Sequence, residues 1–226
     1  MRYPNIHKAR FLSRPNRFVA NCEMGGEILT VHVKNTGRCR ELLVPGAEVW
    51  LTKSDNPARK TAFDLVAVQK GGRLVNMDAQ APNAVFGEFA RAGGFLPDLQ
   101  SARAEVRYGA SRFDFCLESG GKPHFVEVKG VTLEENGVVR FPDAPTERGV
   151  KHLKELQAAA AAGYGAHAVF VIQMEEVAYF TPNDRTHAAF GAALREAARN
   201  GVQVHAFWCR VTPDSLAIAG AVPVVL

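Results

Sequence analysis

Apolar and polar residues alternate with a period of two on both sides of Gly120-Gly121, which predicts a hairpin near the middle of the chain. Its arms are Ser111-Arg112-Phe113-Asp114-Phe115-Cys116-Leu117 and His124-Phe125-Val126-Glu127-Val128-Lys129. Gly-Gly suits a two-residue turn, and either that turn or a four-residue loop over 119–122 sets Asp114 opposite Glu127 and Arg112 opposite Lys129. Alternation assigns Phe113, Phe115, Leu117, Val126 and Val128 to a core face. It assigns Arg112, Asp114, Phe125, Glu127 and Lys129 to the other.

The same reasoning predicts a β-rich N-terminal part, with strands over 17–23, 27–34, 47–52, 63–69 and 73–76. Five short strands suggest a small OB-like barrel. Phe11, Phe18, Trp50 and Phe63 fit core positions there, so contact with a nucleic-acid backbone is favoured over stacking on bases. The stretch 78–83 has linker character, dividing the chain into domains 1–82 and 83–226. Asn83 is expected to cap a helix over 83–92. Beyond the hairpin, helices are predicted over 146–162 with Thr146 as N-cap and over 184–199, and strands over 167–173 and 202–211. The second domain is therefore an α/β sheet flanked by helices.

At 226 residues, 47% hydrophobic and 22% charged, the sequence fits one or two globular domains. The first residues are mixed and polar rather than leader-like, and the longest apolar tract, 158–172, is interrupted by Gly163, Gly165 and His167 and too short for a bilayer. A cytoplasmic protein without membrane contact is expected. Cys22, Cys39, Cys116 and Cys209 are scattered without a C-x-x-C pair, which argues for free buried thiols over structural zinc.

Charge is unevenly placed. Residues 1–82 hold 13 Lys and Arg against 7 Asp and Glu, while the remainder holds 14 against 16. A basic first domain suits phosphate-backbone binding, with Arg14, Arg17, Arg38 and Arg40 clustered around a strand start and the Asn35-Thr36-Gly37 turn. Ordinary solubility charge is the alternative. Two carboxylates opposed across a ladder repel each other, so something positive is expected between Asp114 and Glu127: an oxygen-liganded divalent ion, or Lys129 as a weaker internal substitute. An ordinary solvated sheet face is again the alternative. On the helix after the hairpin, Arg148, His152 and Glu155 share a face with Lys151 beside it. They suit phosphate contact or water positioning, or else ordinary helix-surface pairing.

Asp, then Glu-x-Lys across a hairpin, resembles the active-site motif of the PD-(D/E)XK nuclease superfamily. That resemblance implies that Asp114 and Glu127 hold Mg2+ or Mn2+ together with the Val128 carbonyl, and that Lys129 orients or polarises the attacking water. Glu105 or Glu88 could add an upstream or outer ligand. The whole chain is similar to the sugar fermentation stimulation protein A family through Phe11-Leu12-Ser13-Arg14-Pro15-Asn16-Arg17-Phe18, Val31-His32-Val33-Lys34-Asn35-Thr36-Gly37-Arg38, Pro45-Gly46-Ala47-Glu48-Val49 and Gly71-Gly72-Arg73-Leu74-Val75-Asn76. In the second half the match continues through 107–115, 126–133 and 141–153. Lys34 and Gly130 stand where many relatives have Pro and Ser.

The family resemblance implies DNA binding, a regulatory role in sugar and notably maltose metabolism, and an OB-like domain joined to a nuclease-like one. The leading expectation is a DNA-binding protein with a Mg2+- or Mn2+-dependent nuclease site made by Asp114, Glu127, Val128 and Lys129, its phosphate contacts supplied by Arg14, Arg17, Arg38, Arg40, Arg148 and Lys151. The alternative is a non-catalytic DNA-binding regulator that keeps the nuclease scaffold. A sugar-responsive factor is a third reading, for which the sequence offers no pocket.

Overall fold

The computed structural model describes residues 1–35, 37–109 and 111–226. Thr36, the middle of the expected Asn35-Thr36-Gly37 turn, and Ala110 lie outside the described residues. The first domain contains β1 (Ile6–Asn16), β2 (Val19–Met24), β3 (Glu27–Val33), β4 (Glu48–Lys53), β5 (Phe63–Lys70) and β6 (Arg73–Asn76). Their order is β3-β2-β1-β4-β5-β6, and a parallel pairing of β3 with β5 closes the first five into a barrel from which β6 extends. The expected OB-like barrel is present with a different membership. Its first strand, β1, adds to the expected set; only Ala9 and Phe11 along its length are buried, which leaves little hydrophobic alternation to mark it. Backbone pairing to β2 and β4 on both sides holds it in place instead.

Phe11 and Trp50 are core residues as expected, but Phe18 is 48% exposed. It stands in the β1–β2 turn, where the Asn16 side chain accepts from the backbone N–H groups of Phe18 and Val19, so the local turn rather than the barrel interior fixes its direction.

The second domain runs α1 (Ala81–Arg91), β7 (Leu99–Tyr108), β8 (Ser111–Ser119), β9 (Lys122–Val131), β10 (Leu133–Glu135), β11 (Val138–Phe141), α2 (Glu147–Ala161), β12 (Gly165–Ile172), β13 (Tyr179–Pro182), α3 (Asp184–Arg199), β14 (Gln203–Thr212) and β15 (Ser215–Ala221). Six strands form a mixed sheet in the order β15-β14-β12-β9-β8-β7, with β9, β12 and β14 parallel. The helix α1 covers one face through Val85, Phe86 and Ala90, packed on Phe115, Leu117, Val126, Val128 and Val169. On the other face α2 and α3 pack through Leu153, Leu156, Phe190 and Leu194, in an apolar cluster continuous with the barrel interior. Among the described residues no helix is long and apolar enough to cross a membrane. All four cysteines are free and buried.

Thr146 caps α2 as expected, accepting from the Gly149 N–H at 3.1 Å. Asn83 does not cap α1. Pro82, with its fixed φ and missing N–H, sits in the first turn and lets the helix begin at Ala81, before Asn83.

The junction between domains is polar and buried. Gln173, just past β12, donates through Nε2 to Asn76 Oδ1 at 2.8 Å and to the Asp78 carbonyl at 3.0 Å, and its own carbonyl accepts from the Asn76 N–H. The fully buried Asp78 carboxylate is paired with Lys34 at 2.7 Å. Glu134 brackets two barrel cations, Lys70 at 3.0 Å and Arg73 at 2.9 Å.

Candidate active site

Gly120 and Gly121 form the two-residue turn, both with positive φ, and Ser119 pairs with Lys122. The ladder then runs up to Phe115 opposite Val126, in the register expected from the sequence. There the strands part. Where the next rung would form, the Asp114 side chain takes over: its Oδ2 accepts from the Val128 N–H at 2.7 Å, and its Oδ1 accepts from Asn83 Nδ2 at 3.0 Å. Opposite Asp114, Glu105 of β7 adopts a positive φ of 58°. Across this distortion Phe113 leaves the expected face with Phe115 and packs against Phe125, ring centroids 5.1 Å apart, on the α2 side.

Glu127 is 4% exposed, and Lys129 lies beside it on the same face. Its Oε1 is paired with Lys129 Nζ and with His152 Nδ1, while Oε2 is buried without a hydrogen-bond partner among the described residues. His152 comes from α2, and its Nε2 accepts from Arg148 Nε at 3.3 Å. That contact assigns the ring proton to Nδ1, where it is donated to Glu127. The structure brings this helix face beside the carboxylates, as a relay from Arg148 through His152 to Glu127. Lys151 is exposed and paired with Glu155 at 3.7 Å.

Electrostatics separate the two acids. Burial, and next the Glu127 charge, raise the Asp114 carboxyl above its ordinary value against the pull of the Val128 N–H, Lys129 and Asn83. Burial opposes ionisation of Glu127 as well, but the hydrogen bonds from His152 and Lys129, together with the Lys129 charge, outweigh it and hold that carboxyl below its ordinary value. The site thus keeps one secure anion, one strained carboxyl, and one bare buried oxygen. A hard divalent cation fits this donor set, since it would satisfy Glu127 Oε2 and relieve Asp114. Among the described residues no third His, Cys, Asp or Glu joins them as a metal-binding group. Glu105 is instead paired with Arg112 at 2.7 Å and Glu88 with the N-terminal amine at 2.6 Å. Asn83, read from sequence as a helix cap, is the site residue that was missed; nothing near it in the chain signals a partner 31 positions away.

The barrel arginines are of two kinds. Arg14 donates to the carbonyls of Arg17, Asn35, Gly37 and Arg38 at 2.6–2.8 Å, so its guanidinium staples two turns together. Arg17, Arg38 and Arg40 are exposed. On the α1 face of the second-domain sheet, away from Glu127, three imidazoles form a chain: His124 Nδ1 to His167 Nε2 at 3.0 Å, and His167 Nδ1 to His205 Nε2 at 3.2 Å. Gly165 makes room for it, because a Cβ there would lie 2.0 Å from the His124 ring. Burial, followed by repulsion from His205, His124 and Lys122, lowers His167 to about 3.

Comparison with known proteins bears on both domains. Residues 12–77 match the family model described as SfsA N-terminal OB domain, and residues 80–215 match Sugar fermentation stimulation protein RE domain. The chain is 56% identical over 226 residues to a sugar fermentation stimulation protein homolog of Desulfitobacterium hafniense (strain Y51), covering 100% of this chain and 99% of that one. It is 52% identical over 226 residues to the homolog of Clostridium beijerinckii, with 100% of both chains covered. Among solved structures it resembles SfsA of Pyrococcus furiosus in complex with Ca2+, with a TM-score of 0.90, 27% identity, and coverage of 100% of this chain and 98% of that one.

Proposed function

The chain belongs to the sugar fermentation stimulation protein family, and from that premise we propose that it is a nucleic-acid-binding protein, DNA foremost, whose second domain hydrolyses phosphodiester bonds with Mg2+ or Mn2+. The observation that carries this reading is the pair of half-buried Asp114 and buried Glu127, whose Oε2 has no hydrogen-bond partner among the described residues and lies beside Lys129. The Pyrococcus furiosus relative's complex with Ca2+, another oxygen-seeking cation, supports it.

Asp114 and Glu127 Oε2 would hold the ion together with the Val128 carbonyl, leaving the other positions to water and phosphate oxygens. When bound, the ion activates water and neutralises charge growing on the phosphate. The protein's own groups prepare the site. His152 and Lys129 fix Glu127 by its Oε1, so that Oε2 points free. Asn83 and the Val128 N–H fix both oxygens of Asp114. Lys129, 21% exposed at its side chain, is the cation able to face solvent and orient the attacking water. Exposed Arg148 and Lys151 on α2, and Arg17, Arg38 and Arg40 on the barrel, would neutralise phosphates on either side. Residues 1–82 would then serve for binding and 83–226 for cleavage, with nucleic acid of the cytoplasm as substrate.

A second reading is favoured by one contact: Lys129 already neutralises Glu127, so the acid pair can persist without an ion. The protein would then be a non-catalytic DNA-binding regulator, tied to sugar metabolism as its family name suggests. Incubation with labelled single-stranded, duplex and branched DNA and RNA, in Mg2+, Mn2+ or chelator, separates the two. Cleavage that needs the metal is expected; binding without cleavage on every substrate would select the regulator.

A further inference from the structure

Phe18 is a large aromatic ring left 48% exposed, and what surrounds it is cationic. The Arg17 guanidinium lies over one face, 4.8 Å from the ring centroid. Arg17 also lines a groove of about 370 Å3 with Arg14, Asn16, Gly37, Arg38 and Arg40. Arg14 makes this groove rigid: its four carbonyl bonds clamp the Arg17 turn to the Asn35, Gly37 and Arg38 backbone, so the exposed arginines and the ring are held on one prepared surface.

The groove adjoins the second domain. Gly37 borders both it and a cleft of about 360 Å3 between the domains, whose other walls include Gly130, Thr132, Arg140, Asp143 and Gln173. Gly130 directly follows Lys129. A Cβ on residue 37 would lie 2.8 Å from Asp143 Oδ2, so glycine is what allows the two depressions to meet. Asp143 disfavours a phosphate at that crossing; sugar and base atoms can pass it, with phosphates reached on the arginine side.

Resting on the nucleic-acid reading above, we propose that the substrate is single-stranded nucleic acid, which runs from the Lys129 end of β9 past Gly37 into the arginine groove and stacks an unpaired base on Phe18. An exposed aromatic ring beside exposed guanidinium groups is what a single strand needs, since bases stack and phosphates pair with cations. In a duplex the base faces are already stacked on one another, and Phe18 has nothing to meet.

The test is fluorescence anisotropy of the full chain, in chelator so that nothing is cut, with a labelled oligothymidine of about 16 nucleotides and a blunt duplex of the same length. Phe18→Ala is expected to weaken single-strand binding about tenfold or more, with Phe18→Trp restoring it and duplex binding unmoved. Ile28→Ala, at a still more exposed apolar residue of the barrel, controls for surface hydrophobicity and should bind like the parent. Parent-like single-strand binding by a folded Phe18→Ala, an equal loss on duplex, or a loss with Ile28→Ala overturns the inference while leaving the nucleic-acid reading intact. A parent that binds neither probe overturns the nucleic-acid reading, and this inference with it.

Discussion

The two domains use charge in opposite ways. On the barrel, Arg17, Arg38 and Arg40 stand in solvent, where each would meet a phosphate on its own, screened by salt. In the second domain the charges that matter are buried or half-buried and mutually dependent: Glu127 leans on His152 and Lys129, and Asp114 on Asn83 and the Val128 N–H. Surface charge should therefore yield graded, additive effects, and buried charge should yield steep ones.

Removing the buried acids tests the steep end. On the metal reading, Mn2+ should stabilise the parent in a melting titration, and Asp114→Asn and Glu127→Gln should each abolish that stabilisation, because each would delete a hard anionic ligand of a shared ion. Metal response equal to the parent in both would move the ion elsewhere.

Glu134 stands between the two regimes, as a buried acid holding surface cations across the domain junction. Burial opposes its ionisation, but the Gly137 N–H, Lys70 and Arg73 prevail and lower it from 4.5 to about 2. A depressed carboxylate stabilises fully above its unfolded value and loses that contribution as pH falls toward the folded one. Glu134→Gln should cost about 3 kcal/mol at neutral pH by urea denaturation, with the deficit shrinking as pH falls from 4.5 toward 2.

Lys129→Ala separates holding the ion from using it. Metal-dependent melting should persist while cleavage falls by about 10² or more, equivalent to roughly 2.7 kcal/mol of transition-state stabilisation. Unchanged turnover would remove Lys129 from the mechanism.

The imidazole chain gives a buried cluster without carboxylates, and its pH response has a different window. His167, lowered from 6.5 to about 3, stays neutral in the folded chain while the unfolded chain takes up a proton below 6.5. Stability should therefore fall with acid from that point, by about 2 kcal/mol between neutrality and roughly pH 5 for this one group. His167→Phe should flatten that slope above pH 4.5, where Glu134 does not yet contribute. An unchanged slope would show the chain to be protonated in the fold.

The graded end is the smallest effect. In the Arg38→Ala, Arg40→Ala variant, each lost phosphate contact should reduce the slope of log K against log salt by about 0.9 on duplex or about 0.7 on single strands. Parent-like affinity and slope in the folded variant would shift the phosphate contacts to Arg148 and Lys151.

What could be foreseen from sequence follows the same division between local and distant causes. The hairpin register needed only Gly120-Gly121 and two alternating arms, and it holds as far as Phe115 opposite Val126; the expected pairing of Asp114 with Glu127 does not form, and Asp114 reaches the site through the Val128 N–H. The α2 boundaries came from Thr146, whose capping bond spans three residues. By contrast β1 is held by partners on either side and shows two buried residues, Asn83 reaches an acid from another element, and Arg14 satisfies carbonyls on a distant loop. Phe18 misled in the other direction: aromatic residues in strands are mostly interior, and only the turn geometry reveals this one as a surface group.

Gln173 carries a last consequence, for modularity. Its side chain and backbone complete the bonding of Asn76 and Asp78 at the end of the barrel, and the apolar cluster beneath passes from barrel to helices without a break. A chimera joining this barrel to a foreign second domain without an equivalent residue would leave the Asn76 N–H and the Asp78 carbonyl without these partners in a dry interface. The two domains should therefore be exchanged together rather than one at a time.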